Sequence, residues 1–418
     1  MKLPMLSRLK ISPFLFRLPI LVYSSLGILY WMVFLEPGMG DEGLMAQYLD
    51  EARDRGFYWL LQSGNFSIPH AFLVFPLTFF MPSYLSLRIL SLLGTIFILL
   101  FLKRKHQLGG NTIVTHLLFY LASGSFFLGT NDNLFVCFLV VFFSEVVLFI
   151  SRQSDRISGF AWFCLVSAFF TREMAVVYLP LIACMTLFIF NSSKFRPKEA
   201  GLVIGSVAFW IVLNIPSIAH HGSLSFDNKE MAKQNGITWP QRQYLSQLYA
   251  TQGIIPELSH VSWEETRSYL EKNGKDSLPS STFDSLVFDI SFTWKEFWKD
   301  FLYLIYSGFR QVGLVIFFPF LMFITPTKEN QAIRLIGFGQ LLQMLVFSAI
   351  IISYIEIRWL APAFILGILG MDLLLKSREG KAQVDFINQI VLTALSIYGI
   401  FAYIHLIGNT RTWLETFF

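Results

Sequence analysis

The sequence predicts an all-α protein: a polytopic bundle of membrane-spanning helices with further helices lying along one membrane surface. Three observations predict it. Of 418 residues, 54% are hydrophobic, 17% aromatic and only 14% charged, where soluble domains carry about 25% charge. The apolar residues gather in blocks close to the roughly 20 residues that cross a ~30 Å hydrocarbon core as a helix. The basic residues sit in short clusters between those blocks, where membrane topology places them. That placement accounts for the net charge of +4 and removes the case for a nucleic-acid partner.

Eleven spans are expected, near 16–35, 83–102, 111–128, 132–150, 157–171, 173–190, 200–218, 303–324, 332–354, 358–375 and 388–408. The first block has no small-residue cleavage site after it and reads as an anchor. A stretch from Ile68 to Met81, cut by Pro69 and Pro76, is short for a span and reads as a juxtamembrane or re-entrant helix. If it crosses, the count becomes twelve. Loop charge decides for eleven. With the N-terminus inside, Lys103–Arg104–Lys105, Arg152 and Arg156, Lys194, Arg196 and Lys198, Lys328 and Arg334, and Lys376, Arg378 and Lys381 all fall on the inner side. The short outer segments hold Arg53, Arg55, Arg172, Arg358 and Arg411, the asymmetry of the positive-inside rule.

Two outer segments are long, which divides the chain into a first membrane module at 1–218, an outer hydrophilic subdomain at 219–302 and C-terminal spans at 303–418. The outer loop 36–69 is acidic. Within it Leu44, Met45, Tyr48, Leu49 and Ala52 recur at helical spacing, which predicts a helix along the membrane surface. In the second segment, Glu264 to Lys272 reads as a short helix capped by Ser262. Trp294 and Trp298 precede a span and suit the membrane interface, while Trp239 and Trp263 suit an interface or a sugar platform. The cysteines Cys137, Cys164 and Cys184 lie inside apolar blocks without metal-site or disulfide spacing. His70, His220 and His221 lack ligand spacing and read as packed or solvated.

On this topology polar residues converge on the outer side: Asp41 and Glu42 after the first span, Asn131–Asp132–Asn133 in one tight turn, Arg172 and Glu173 in the next, and Glu356 and Arg358 before the tenth span. Arg88 lies just inside the second span, Arg310 inside the eighth and Glu145 within the fourth. A charge at mid-bilayer costs roughly 2.5–3.5 kcal/mol and less near the edge, so such residues pair or serve a site. Turn chemistry for Asp132 and snorkelling for Arg88 and Arg310 are the plainer readings.

The order of these motifs resembles that of the C-type (GT-C) glycosyltransferases, in the branch of protein O-mannosyltransferases and bacterial aminoarabinose transferases. Gly40-Asp41-Glu42-Gly43 resembles the first outer loop of that family. Ser67 to Lys105 resembles its His-Pro-Pro segment and following span, with the order changed here to Ile-Pro-His around His70. Gly129 to Phe143 resembles the second acidic loop, with Asp132 as the acid. Ala168 to Leu181 resembles the Leu-Thr-Lys signature, with Arg172 for lysine and Met174 for proline. Glu356 to Phe364 resembles Glu-Arg-Tyr-Leu-Leu-Pro, with Arg358 as its arginine.

The resemblance implies a sugar donor on a polyprenyl-phosphate carrier, an acceptor glycan, lipid or protein, and membrane lipids as surroundings. It implies a bacterial inner membrane, with the site on the extracytoplasmic side. Glycosyl transfer needs a base for the acceptor hydroxyl and positive charge for the leaving phosphate. Asp41 is the expected base, with Glu42 and Asp132 as the other catalytic acids. Arg358, Arg172 and Arg88 are the expected phosphate ligands, and no cofactor or metal is expected. One base without a second carboxylate nucleophile implies inversion. A transporter or flippase of lipid-linked sugars, or a non-catalytic membrane scaffold, shares the same helices.

Overall fold

The computed structural model describes residues 13–37, 41–106, 111–123, 129–191, 197–226, 236–257, 259–320, 331–350, 355–376 and 381–414. Every regular element among them is helical. Among the described residues nine helices are long and apolar enough to cross a membrane: Leu15–Phe34, Ser83–Lys105, Asp132–Ile150, Glu173–Phe190, Lys198–His221, Ile290–Phe320, Ala332–Ala349, Ile357–Lys376 and Val384–Gly408. Each coincides with an expected span, so the chain is a multi-pass membrane protein. The expected spans at 111–128 and 157–171 correspond to shorter helices, Asn111–Ser123 and Gly159–Thr171, of 13 residues each. At 1.5 Å per residue such a helix covers only ~20 Å. Residues 124–128 lie outside the described residues. Ile68–Phe79 is likewise a short apolar helix.

Two spans form the heart of the bundle. Helix α7 (Asp132–Ile150) is buried almost along its whole length, and so is α16 (Ala361–Lys376). They pack on each other and both on α15 (Gln331–Ala349), and α7 also packs on α5 (Ser83–Lys105). Their phenylalanines and aliphatic residues merge with Tyr120, Trp162 and Tyr178 into one continuous core. The first helix, α1 (Pro13–Leu29), packs against α6 (Asn111–Ser123) and α17 (Lys381–Leu414). Helices α5, α7 and α16 run in the same direction. Arg88, Asp132 and Arg358 stand at or near their starts. At the opposite end Lys105 Nζ meets Glu145 Oε1 at 2.6 Å and Lys376 Nζ meets Asp372 Oδ2 at 2.6 Å. The intramembrane Glu145 is therefore paired by the lysine that closes α5.

Three helices begin or break with a tight 3-10 turn, at Glu173–Tyr178, Gly313–Phe317 and Ile357–Leu360. Gly313 carries φ 57°, the left-handed value that interrupts α14 (Ile290–Val312) inside the longest apolar run. Such turns release carbonyls that α-helical bonding would occupy, and lipid offers them nothing. Side chains from neighbouring helices take them up. His116 Nε2 lies 2.8 Å from the Val312 carbonyl. Gln340 donates to the Val315 carbonyl and Gln343 to the Val177 carbonyl, both at 3.1 Å. The Tyr178 hydroxyl donates to the Trp359 carbonyl at 2.5 Å.

The acidic segment after the first span forms α2 (Asp41–Arg55), burying Met45, Leu49 and Ala52, the i, i+4, i+7 face its sequence predicts. These residues pack with Leu60, Phe66, Val74 and Leu87, so α2 is held by α3 (Phe57–Ser63), α4 (Ile68–Val74) and α5. The hydrophilic segment forms α11 (Trp239–Thr251), α12 (Trp263–Asn273) and α13 (Thr282–Phe288). Ser262 and Glu265 make a reciprocal capping box on α12. Tyr244, Leu245, Val261 and Leu278 form its core. Gln247 and Thr251 donate to the buried Glu296 of α14 at 2.5 and 3.1 Å, tying this subdomain to a span. Trp263 lies under the Arg242 guanidinium at 4.8 Å and is buried, so its face is already used. Trp294 and Trp298 stand exposed.

Candidate functional site

The turn Thr130-Asn131 and the first residue of α7 place Asp132 at the mouth of the innermost span. It is 5% exposed. Arg172 reaches it through Nη1 on Oδ1, and Arg358 places Nε 3.1 Å from Oδ2. The Thr130 hydroxyl adds a 3.2 Å bond to Oδ2. Both arginines sit where a helix is interrupted. Arg172 is the extended residue that ends α8 (Gly159–Thr171), and Arg358 lies in the 3-10 turn before α16. These interruptions turn long side chains across the end of the bundle instead of along it.

The surroundings hold this arrangement. Arg172 Nη1 also donates to Asn131 Oδ1 at 2.8 Å, and Asn131 Nδ2 donates to the Thr171 carbonyl at 2.9 Å. Glu356 Oε2 lies 2.5 Å from Arg358 Nη2. The Nε–H of Arg358 is buried and has no aligned hydrogen-bond acceptor. Its approach to Asp132 is thus a charge pair rather than an aligned hydrogen bond, in a residue 9% exposed. Burial pushes the Glu356 carboxyl above the ordinary glutamate range. Arg358 opposes that rise, Asp132 adds to it, Arg172 opposes it, and Asp41 adds again. Asp41 begins α2, is partly buried, and acts electrostatically on both Glu356 and Arg358.

Asp132, Arg172 and Arg358 are thus brought together, with Asp41 within electrostatic reach, and Glu356 joins them as an acid set aside from the expected catalytic set. The signal for it was present, since Glu356 stands two residues before Arg358. Glu42 and Arg88 form a separate unit. Arg88 Nε and Nη2 each donate to a Glu42 carboxylate oxygen at 2.7 Å, and its Nη1 and Nη2 donate to the carbonyls of Leu35 and Glu36 at 3.0 and 3.1 Å. Glu42 also accepts the Gly129 amide at 3.1 Å. The Arg88 guanidinium is engaged on every nitrogen and 1% exposed. That geometry gives it a partner other than phosphate.

His70 is buried against Phe66, with ring centroids 5.2 Å apart, the packed one of its two expected settings. Arg310 lies near the rings of Tyr306 and Tyr398 at 5.9 and 5.5 Å. A groove of about 490 Å³ along α2, lined by Gly43, Gln47, Asp50, Asp54 and Tyr84, holds none of the clustered arginines. It is shallow and acidic, whereas the charge chemistry lies at the helix ends. Among the described residues, no three His, Cys, Asp or Glu side chains gather as a metal site. Compared with family models, characterised proteins and solved structures, the chain matches none.

Proposed function

We propose that this chain is a membrane glycosyltransferase. It takes a sugar from a polyprenyl-phosphate carrier and transfers it to an acceptor hydroxyl at the outer membrane face, with inversion. The observation that carries the reading is the Arg172–Asp132–Arg358 cluster at the end of the innermost span, with Asp41 within electrostatic reach of Arg358. A carrier phosphate anchored by its lipid tail arrives at that depth. Arginine forks suit its oxygens, and a dry setting strengthens each contact.

Asp41 removes the acceptor proton as the acceptor oxygen attacks the anomeric carbon. The bond from that carbon to the phosphate oxygen breaks with its electron pair. The carrier leaves with the extra negative charge, facing Arg358 and Arg172. Asp132 stands between the two arginines and holds them, which suits an orienting acid better than a nucleophile. Glu42 and Arg88 brace the loop that presents Asp41. The acceptor hydroxyl belongs to a glycan, lipid or protein, and the subdomain at 219–302 is suited to select it.

The rival reading is a transporter of lipid-linked sugars. It draws on the break at Gly313–Phe317, because broken helices mark many transporters. Here the freed carbonyls are taken up by His116 and Gln340, which suits a sealed interior. The test incubates purified protein with a panel of polyprenyl-phosphate sugars. Release of free carrier supports the enzyme. Vectorial movement of intact donor in vesicles without release supports the transporter.

A further inference from the structure

Residues 64–71, where α3 turns into α4, are all buried. Most polar groups there are matched. Asn65 Nδ2 donates to the Tyr48 hydroxyl at 3.0 Å, and the Ser225 hydroxyl donates to the Phe66 carbonyl at 2.6 Å. Two are not: Ser67 Oγ and His70 Nδ1 have no hydrogen-bond partner. Ser67 is 0% and His70 1% exposed. Ser67 occupies the N-cap of α4, where a serine hydroxyl ordinarily accepts a first-turn amide, yet it makes no such bond. His70 follows at i+3, on the same side of the helix start. Buried polar groups are nearly always paired, and an exception needs a reason.

The reason is suggested by position and charge. His70 lies within electrostatic reach of Asp132, although burial holds its imidazole down to about 3. It is therefore neutral, with one ring nitrogen donating and the other accepting. A neutral imidazole beside a hydroxyl complements a group that both donates and accepts. A phosphate needs donors and positive charge, which Arg172 and Arg358 supply. We infer that Ser67 and His70, the two unpartnered buried side chains at the start of α4, form a hydroxyl-binding subsite that takes an uncharged sugar hydroxyl and discriminates against phosphate. That the hydroxyl belongs to a transferred or accepting sugar rests on the proposed function; that the subsite takes hydroxyls does not. Its side chains divide the work with the arginines, so sugar and phosphate are recognised by separate groups.

The experiment follows His70 in 15N-histidine-labelled full-length protein by NMR, its signal identified as the one lost in His70→Phe. The probes are a short-chain polyprenyl phosphate, the same carrier bearing a hexose, a pentose or an amino sugar, and the free sugars. A shift with a sugar-bearing carrier and none with the bare carrier identifies the donor sugar as the source. A shift with free sugar when bare carrier is bound identifies the acceptor. Ser67→Ala should keep or raise the melting temperature, since it removes an unpaired buried hydroxyl, yet weaken the sugar affinity about threefold to tenfold. The subsite is overturned if no sugar-bearing probe moves His70, if the bare carrier moves it equally, or if Ser67→Ala leaves sugar affinity unchanged. Carrier release with a silent His70 overturns only the subsite. A His70 response to sugar without any carrier release counts against the transferase and leaves the subsite standing.

Discussion

Glu42 and Arg88 hold each other through two 2.7 Å hydrogen bonds, one to each carboxylate oxygen, at 0% and 1% exposure. The pair joins the first turn of α2 to the start of α5, and the Gly129 amide adds the loop before α7. A methyl group at Gly129 would come 2.7 Å from Glu42 Oε1 and 2.5 Å from Leu87 Cβ. Three segments that carry or flank the site are thus clamped at one point. The adjacent acids differ in setting: Glu42 is buried on Arg88, and Asp41 is partly exposed and acts electrostatically on Arg358.

Breaking this clamp on one side should be costly. Removing one partner of a buried ion pair typically costs about 3–5 kcal/mol, because the other charge is left stranded. Glu42→Gln and Arg88→Met should each lower unfolding stability in detergent by an amount of that order. The double variant Glu42→Leu with Arg88→Met should lose much less than the sum of the two. Additive losses would show that the residues act independently.

The division between adjacent acids gives a kinetic prediction. Asp41→Asn should cut sugar transfer by roughly 10²–10⁴, the usual contribution of a general base, with stability close to wild type. Glu42→Gln should act through folding and retain turnover per folded molecule. Full activity in Asp41→Asn, with loss in well-folded Glu42→Gln, would reverse the assignment.

Arg358 presents a planar fork to Asp132 and Glu356 at 3.1 and 2.5 Å. Lysine keeps the charge and loses the fork. Arg358→Lys should raise the KM for carrier-linked sugar, and Arg358→Ala should raise it further, by about 10- to 100-fold overall, the range of a charge-assisted hydrogen bond. Donor titration by transfer rate measures both. A folded alanine variant with unchanged KM would remove Arg358 from the phosphate contact.

Glu356 yields a pH dependence of stability. Its folded-state pKa is raised, chiefly by burial, so the folded chain holds a proton that the unfolded chain releases at lower pH. The sign follows from linkage: its contribution is full below the ordinary glutamate value near 4.3 and is lost as pH rises through the raised value. Glu356→Gln should flatten that decline, so its stability relative to wild type grows with pH above about 4.3. Melting temperatures of the two proteins across pH measure it. A constant difference would contradict the shift.

The carbonyls at the helix breaks predict an effect far from any chemistry. Gln343→Leu strands the Val177 carbonyl and Gln340→Leu the Val315 carbonyl. Each should destabilise by about 1–3 kcal/mol, the cost of an unpaired buried polar group. Carrier-release turnover should stay near wild type in both. A stability unchanged in either would mean that the freed carbonyl finds another donor.

Hydropathy and helical period are local quantities, and what depends on them was legible in the sequence. The nine long apolar helices coincide with blocks visible in composition. The buried face of Met45, Leu49 and Ala52 follows from their spacing, and the cap on α12 from Ser262 and Glu265 three residues apart. The gathering of charges at helix ends was also legible, because a charge is excluded from lipid whatever its partner. Partners themselves required the tertiary structure. Glu42 meets Arg88 across 46 positions, and Gln343 meets the Val177 carbonyl across 166. Arg88 and Arg358 look alike in sequence, as arginines near the start of a span. Packing alone closes one onto a single glutamate and sets the other between Asp132 and Glu356. The same holds for His70, whose burial against Phe66 depends on how α3 turns into α4. A desolvated polar group takes whichever partner three-dimensional packing brings within about 3 Å, and neither neighbouring residues nor periodicity carries that distance.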